Sequence, residues 1–139
     1  MNRLYLVRGL PGSGKSTVAR ALAVSVRGGE AIEADEFFVG EDGVYVFDGS
    51  RLREAHQDCL SRAQDLMEMP GIQLVAVANT FSQRWEMEPY IHLADKLGWT
   101  VTAIECTGDH GNVHDVPENA IQRMRDRWES VQSFVSDDR

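Results

Sequence analysis

The pattern G-x-x-x-x-G-K-[ST], which residues 9–16 match, constrains the fold of this chain more than any other feature of its sequence. The apolar run 4–7 before it is typical of a buried strand, and residues from about 15 to 26 have the spacing of a helix. The glycines permit a turn in which successive backbone N–H groups point at one anion, and the start of the helix adds favourable partial charge. A strand, a phosphate-binding loop and a helix in this order predict an α/β protein.

The remainder of the chain alternates further strands with helices. Apolar runs predict strands, whereas apolar residues at three- and four-residue spacing predict helices. Asp42-Gly43, between two β-rich pieces, indicates a hairpin. This alternation predicts one domain over residues 1–139, with a three-layer P-loop NTPase/kinase fold in which helices flank a mainly parallel sheet. Further strands are expected at 30–35, 72–79 and 99–106, and helices at 52–67, from 83 or 89 to 97, and at 117–134.

Composition excludes several classes of protein. The chain has the balance of a globular domain, with 42% hydrophobic and 26% charged residues, and its formal net charge of −8 argues against a broad basic surface for nucleic acid. No apolar run approaches the ~18 residues of a membrane span, and no signal peptide precedes the first strand, so we expect a cytoplasmic protein without a membrane partner. The two cysteines, Cys59 and Cys106, are expected to be buried thiols.

The loop indicates ATP and Mg²⁺ as cofactors. Lys15 is expected to reach the β- and γ-phosphates, the hydroxyl of Ser16 to ligate Mg²⁺, and Thr17 to contact the α-phosphate or to cap the turn. The cofactor-binding residues that we predict all belong to the loop or to the first turn of its helix: Gly9, Pro11, Gly12, Ser13, Gly14, Lys15, Ser16 and Thr17.

The strand "LVAVAN" bears on the use of the nucleotide. Mechanical ATPases usually place an acidic residue after such a strand to hold Mg²⁺ and position water, but this strand ends in Ala78 and Asn79, which favours a small kinase. A kinase needs a carboxylate near the acceptor hydroxyl, and Asp35 at the end of the second predicted strand supplies one. Glu33 and Glu36 are competitors, and a helix or turn cap is the structural alternative for Asp35.

Transfer of a phosphoryl group also needs positive charge over that group. The polar segment 106–117 is the natural lid, yet it contains neither lysine nor arginine. We predict Arg123 as the catalytic arginine, with Arg125 and Arg127 or the lid histidines His110 and His114 as alternatives. Solvated helix charges are the structural alternative for the arginines. The C-x3-H-x3-H spacing within 106–114 leaves a zinc site as another interpretation.

Several segments extend the pattern beyond the loop: "RGLPGSGKST", "EADEFF", "YVFDGSRLREAHQDC", "VANTFSQRWEMEPYIHLADKLGW" and "GNVHDVPENAIQRMRDRWE". Together they resemble small P-loop kinases of the polynucleotide-kinase type, also described as AAA-type ATPase domains, over nearly the whole chain. The resemblance implies transfer of the γ-phosphoryl group of ATP to a hydroxyl of a nucleic acid or nucleotide, such as a 5′-hydroxyl end. It also implies that Asp35 is the general base and that Asn79 and Thr80 face the substrate.

Three positions depart from the pattern of that family. Phe38 stands where an arginine holds the phosphate next to the acceptor, Gly111 stands where the lid arginine is usual, and Phe81 replaces the last asparagine of the substrate stretch. We therefore predict that Phe38 contacts an acceptor that is read through its base, because aromatic rings stack on bases. A phage branch of the family phosphorylates a hydroxymethyl group on a modified pyrimidine in DNA. That branch fits these changes and implies a phage-encoded enzyme in the cytoplasm of its host.

Two other functions are compatible with the sequence. One is a nucleotide-binding regulatory module with weak ATPase activity, which the missing lid arginine would suit. The other is a small-molecule kinase for an antibiotic or a sugar, which the acidic composition would suit.

Overall fold

A four-stranded parallel sheet forms the centre of the computed structural model, which describes residues 1–111 and 116–130. The strands are β1 (Arg3–Gly9), β2 (Gly29–Ile32), β3 (Leu74–Asn79) and β4 (Thr100–Cys106), in the order β2-β3-β1-β4. β1 is central, since it pairs with β3 on one side and with β4 on the other. The predicted parallel sheet is confirmed.

Four α-helices accompany the sheet in the described residues. They are α1 (Lys15–Val24), α2 (Leu52–Glu68), α3 (Arg84–Leu97) and α4 (Glu118–Asp126). The sequence left two possible starts for α3, near residue 83 or at residue 89. The helix begins directly after Gln83 and includes Pro89.

The last helix is shorter than the prediction over 117–134. α4 ends at Asp126, and Trp128, which we expected on its apolar stripe, lies beyond it. The chain leaves the helix because the N–H of Glu129 donates to the carbonyl of Ser82, 2.8 Å away, instead of continuing the helical ladder. The expected stripe residue 131 and the expected end at 134 lie outside the described residues.

Alternating side chains of the strands give the sheet two apolar faces. Leu4 and Leu6 of β1 belong to a large core that includes residues of α2 and α3, whereas Val7 packs with Ala19 of α1 on the opposite face. The same alternation holds in β3, where Val75 belongs to the first face. The fold is therefore the expected three-layer P-loop arrangement, with helices on both sides of a parallel sheet.

The segment between β2 and α2 differs from its prediction. The strand expected over 30–35 ends at Ile32, and a 3₁₀ helix, Ala34–Phe38, follows it. Asp35 therefore lies in a helical turn and not on the end of a strand. The expected hairpin around Asp42-Gly43 is reduced to one antiparallel bridge between Val39 and Tyr45.

Two expectations drawn from composition can be compared with the structure. Both cysteines carry free thiols, but only Cys59 is buried, while Cys106 at the end of β4 is half-buried. Across residues 1–111 and 116–130, none of the helices combines the length and the apolar character needed to cross a membrane.

The central position of β1 leads to a stability prediction. Leu6 has no exposed side-chain surface, so Leu6→Ala should lower the free energy of unfolding by about 2–5 kcal/mol. Val24 at the end of α1 is 83% exposed, and Val24→Ala should change it by less than about 0.5 kcal/mol. Urea unfolding of both variants measures the difference. Equal costs would contradict the assignment of Leu6 to the core.

Candidate active site

The phosphate loop joins the carboxyl end of β1 to the N-terminus of α1. Gly12 and Gly14 have φ angles of +82° and +92°, and Gly14 is the residue that precedes the first turn of α1. A Cβ atom on Gly12 would collide with the carbonyl oxygen of Gly111. Gly12 is therefore required both for its backbone conformation and for the close approach of the segment after β4.

Ser13 is the most enclosed residue of the loop apart from Gly9. Its hydroxyl oxygen is buried and has no hydrogen-bond partner among the described residues. It faces the position of Gly9, where a Cβ atom would collide with it. An unpaired polar atom inside a phosphate loop is available to a ligand that supplies the missing hydrogen bond.

Lys15 lies between the loop and the acidic end of β2. Its Nζ is 3.4 Å from the carbonyl oxygen of Leu10. Burial lowers the pKa of Lys15, and the negative charges of Asp35 and then Glu33 oppose that shift. Lys15 and Asp35, which we predicted as site residues, thus both lie at the carboxyl edge of the parallel sheet, where their charges interact.

Ser16 and Glu33 form the oxygen-rich part of this cluster. The hydroxyl of Ser16 donates to Oε2 of Glu33 at 2.7 Å. A hydroxyl and a carboxylate are donors that Mg²⁺ prefers, so these two residues fit the ion that the loop implies. Thr17 follows at the exposed start of α1, on the wall of a pocket that His110 also lines.

The 3₁₀ helix that carries Asp35 is held from two sides. The side-chain oxygen of Asn79, at the end of β3, accepts from the N–H of Ala34 at 2.8 Å. Arg62 of α2 donates to the carbonyl oxygen of Glu33 and pairs with the carboxylate of Glu36 at 2.8 Å. Glu33 and Glu36 also form a reciprocal cap at the start of this turn. The N-cap of this turn is thus Glu33, and the role of Asp35 as the base stays a prediction.

The predicted substrate residues occupy different environments. Asn79 is only 5% exposed, and besides Ala34 its amide contacts the thiol of Cys59 at 3.7 Å. Phe38 is 6% exposed and packs against Phe37 and Phe47, so its ring belongs to the core. Thr80 is half-buried, and its carbonyl accepts from the N–H of Gly9 at 3.3 Å. That these residues contact the substrate stays a prediction. In the structure, Asn79 holds the start of the turn that carries Asp35, and Phe38 is part of the core.

Arg123 and Arg125 of α4, and Arg127 directly after it, are not equivalent. Arg125 and Trp128 line a pocket of about 290 Å³ together with Leu10 and Ser13 of the phosphate loop. Arg123, our predicted catalytic arginine, is not among the lining residues, and its catalytic role stays a prediction. Arg127 donates to the hydroxyl of Ser82 at 2.9 Å.

The segment after β4, our predicted lid, touches the loop through His110. The N–H of His110 donates to the carbonyl of Gly12 at 2.7 Å, and its ring lies beside Gly14. His114 and the rest of 112–115 lie outside the described residues. Within the described ranges, no group of three metal-ligating side chains supports the zinc interpretation.

Arg8 is a residue of this region that the sequence analysis did not identify. It lies on β1 immediately before the loop, and its side chain is completely buried. Its guanidinium donates to the carbonyls of Phe81 and Glu129 and pairs with Glu105 at 2.9 Å. The available signal was a charged residue directly after the apolar run 4–7 and one position before the first loop glycine.

Comparison with known proteins agrees with this geometry. The family described as AAA domain matches residues 4–131. The chain belongs to this family. Two curated proteins are similar to this chain. Human NEDD4-binding protein 2 is 36% identical over 96% of this chain. The 2′,3′-cyclic-nucleotide 3′-phosphodiesterase of Pongo abelii is 30% identical over 73% of this chain. The chain spans only 8% and 23% of the lengths of these two relatives.

Solved structures with the same fold include several kinases. The Pnkp1/Rnl/Hen1 complex contains a chain that matches this AAA domain with a TM-score of 0.59 at 17% identity, over 88% of this chain and 38% of the other. The APS kinase CysC of Mycobacterium tuberculosis, in complex with AMPPNP and APS, gives 0.56 at 21% identity, over 88% and 67%. A gluconokinase of Sinorhizobium meliloti 1021 gives 0.56 at 19% identity, over 92% and 75%. These likenesses confirm the predicted fold class.

The contact between Gly12 and Gly111 leads to a prediction with an internal control. Gly12→Ala places a methyl group against the carbonyl of Gly111 and should weaken nucleotide binding about tenfold or more, since strain of this kind costs about 1–3 kcal/mol. Gly43 has a similar φ of +79° but open space around it. Gly43→Ala should leave the nucleotide Kd within about twofold. Titration with a fluorescent ATP analogue checks both, and equal losses would contradict a steric role for Gly12.

Proposed function

We propose that this chain is an ATP-dependent phosphotransferase that moves a γ-phosphoryl group to a hydroxyl of a nucleic acid or nucleotide. The observation that carries the proposal is the geometry of the carboxyl edge of the sheet. The phosphate loop with Lys15 follows β1, the turn with Asp35 follows β2, and the hydrogen bond from Ser16 to Glu33 joins the two. A lysine for the phosphates and a carboxylate for the acceptor are the two groups that a P-loop kinase needs at this edge.

The nucleotide side of the reaction is supported by the loop geometry. The backbone N–H groups at the start of α1 and the ammonium of Lys15 would bind the phosphates of ATP. The buried hydroxyl of Ser13 faces the same loop. Ser16, with Glu33 behind it, would hold Mg²⁺, which when bound neutralises charge on the β- and γ-phosphates.

Asp35 is the carboxylate that we assign to the acceptor. Of the three carboxylates of this turn, Asp35 has the strongest effect on the charge of Lys15, ahead of Glu33. In the reaction, the acceptor oxygen attacks the γ-phosphorus, its proton passes to the carboxylate of Asp35, and the bond to the β-phosphate oxygen breaks to release ADP.

The nucleic-acid or nucleotide acceptor is supported by the names of related proteins and by the surface beside Asp35. One relative is named as a cyclic-nucleotide phosphodiesterase, and a related fold occurs in a complex described as an RNA repair complex. Tyr45 pairs with Val39, which follows the turn of Asp35, and burial together with the negative charges of Asp35 and Glu33 raises the pKa of its hydroxyl. Phe47 is exposed and Phe37 half-buried, so these rings rather than Phe38 could stack on a base.

A finer form of this proposal names the acceptor as a hydroxymethyl group on a modified pyrimidine in DNA. It is supported by Phe38 and Gly111, which stand where 5′-end kinases have phosphate-binding arginines. An acceptor held through its base needs less positive charge around it than an acceptor held through a terminal phosphate.

A small-molecule kinase is the second candidate function. It is favoured by the fold likeness to APS kinase and gluconokinase and by the net charge of −8, which disfavours long polyanions. A nucleotide-binding module with weak ATPase activity is favoured by Gly111 at the position of the lid arginine.

The role of Asp35 is tested by Asp35→Asn. We expect kcat for phosphoryl transfer to fall by about 10²–10⁴, because the variant cannot accept the proton, while the Kd for ATP changes less than about threefold. Asp42→Asn, in the exposed turn of the same segment, is the matched control and should be fully active. Full transfer by Asp35→Asn would falsify its assignment as the base.

The acceptor is tested by incubating the protein with ATP labelled on the γ-phosphate and a panel of hydroxyl compounds. The panel contains 5′-hydroxyl DNA and RNA, hydroxymethylpyrimidine DNA, free nucleosides and small alcohols. Label on the nucleic acids or nucleosides supports the proposal. Label on the small alcohols alone supports the second candidate. Tight ATP binding with no labelled acceptor supports the regulatory module.

Arg123 and Arg125 allow a matched comparison on one helix. Arg125 lines the pocket beside the phosphate loop, so Arg125→Ala should lower kcat about tenfold or more. Arg123→Ala should lower kcat less than about twofold, because an exposed helix charge outside the pocket contributes little. Steady-state kinetics with a saturating acceptor decides between them. A larger loss for Arg123→Ala would support Arg123 as the catalytic arginine.

A further inference from the structure

We propose that Arg8 is a positioning residue for phosphoryl transfer. It fastens the loop between β3 and α3 and the segment after α4 to the end of β1, and it thereby holds Arg125 beside the phosphate loop. This inference rests on the proposed phosphotransferase function, and it assigns a task to a buried charge that the P-loop chemistry does not use.

The hydrogen bonds of Arg8 join three parts of the chain. Nε and Nη2 donate to the carbonyl of Phe81 at 3.0 and 2.8 Å. Nη2 also donates to the carbonyl of Glu129 at 2.7 Å and to that of Ser82 at 3.3 Å. Nη1 pairs with Oε1 of Glu105 on β4 at 2.9 Å. Only the planar fork of an arginine supplies so many donors in fixed directions.

The loop after β3 depends on this fork because its backbone is strained. Among the described residues, Phe81 is the only one other than glycine with a positive φ, +46°. Such a conformation costs about 1–3 kcal/mol and persists only where the surroundings impose it. The paired bonds from Arg8 hold the Phe81 carbonyl, and Thr80 just before it accepts from the first loop glycine, Gly9. Arg8 therefore fixes the acceptor-side loop relative to the phosphate loop.

The segment after α4 is held by the same residue. The guanidinium carbon of Arg8 lies 4.0 Å from the ring centroid of Trp128, a cation–π contact. Glu129 accepts from Arg8 and donates its N–H to the carbonyl of Ser82. The N–H of Trp128 donates to the carbonyl of Arg125 at 3.2 Å, so the anchored segment begins directly at Arg125.

The pocket completes the connection to the proposed chemistry. Arg125 and Trp128 line it together with Leu10 and Ser13 of the loop. The ring of Trp128 is thus bound to Arg8 while it shares the pocket with Arg125. The side chain of Arg125 pairs with Glu118 on α4, and the contacts of Arg8 fix the backbone that follows it. If Arg8 were lost, the strained loop and the segment after α4 would each lose their shared partner, and the end of α4 that carries Arg125 would no longer be fastened beside the pocket.

A purely stabilising role does not explain an arginine at this position. Burial lowers the pKa of Arg8, and Glu105 is the largest opposing influence, so the charge is retained at a cost in desolvation. Buried ion pairs are often replaced by apolar residues without loss of stability. What an apolar residue could not reproduce is the simultaneous orientation of three carbonyls and an indole ring.

The experiment compares Arg8→Lys and Arg8→Met with Arg3→Met, an exposed arginine at the opposite end of the same strand. Using an acceptor that the wild type phosphorylates, we expect kcat to fall about tenfold or more in both Arg8 variants, which is about 1.4 kcal/mol of transition-state stabilisation. The Kd for ATP should change less than about threefold, and Arg3→Met should match the wild type.

Two further measurements separate positioning from general destabilisation. In the Arg8→Met background, Arg125→Ala should cost less than about twofold, because coupled residues lose their effect together. Hydrogen exchange should lose protection at residues 79–83 and 127–130 while α1 and α2 keep theirs. If Arg8→Met does not fold, Arg8→Lys and Trp128→Leu are measured in its place, and Trp128→Leu should also lower kcat.

The outcomes are distinct. A wild type that transfers no phosphoryl group to any acceptor overturns the proposed function. An active wild type with unchanged kcat in the Arg8 variants overturns this inference alone. Full additivity of the Arg8 and Arg125 substitutions, or a loss of protection spread over the whole sheet, also overturns it, because either result would make Arg8 a stabilising residue without a positioning role.

Discussion

The parallel pairing of β1 with both β3 and β4 is the constraint on which the rest of this structure depends. The connection after β1 passes through α1 to β2 on one side of the sheet, whereas the connection after β3 passes through α3 to β4 on the other side. A crevice therefore opens at the carboxyl end of β1. The phosphate loop lies in this crevice, the end of β3 forms one side of it, and the end of β4 forms the other. Arg8, the penultimate residue of β1, binds to both sides.

The acidic turn after β2 shows how neighbouring residues of one type take different tasks. Glu33 caps the turn and accepts from Ser16, whereas Glu36 completes the cap and pairs with Arg62. Asp35 stands between them, in electrostatic contact with Lys15. Asn79 holds the start of the same turn. The position of the proposed base is therefore set by hydrogen bonds from three other elements and not by the strand that precedes it.

Prediction from the sequence succeeded where the signal was local and periodic. The phosphate loop, the buried strand β3 and the amphipathic helix α2 have patterns that short segments carry by themselves. It was less accurate where a tertiary contact decides the local conformation. The last helix ends at Asp126 because Glu129 bonds to Ser82, and Phe38 is buried because the aromatic residues after it fold over it. Neither contact can be predicted from the periodicity of the sequence.

Residue type and spacing over a few turns are enough to establish a phosphate-binding loop between a strand and a helix, within an alternating α/β arrangement. Which side chains contact each other at the loop is set by the tertiary structure. It brought Glu33 to Ser16, placed Arg125 rather than Arg123 at the pocket, and enclosed Arg8 among carbonyls from residues more than seventy positions away. These contacts depend on how the strands are ordered in the sheet, and the spacing of residues along the chain does not specify that order.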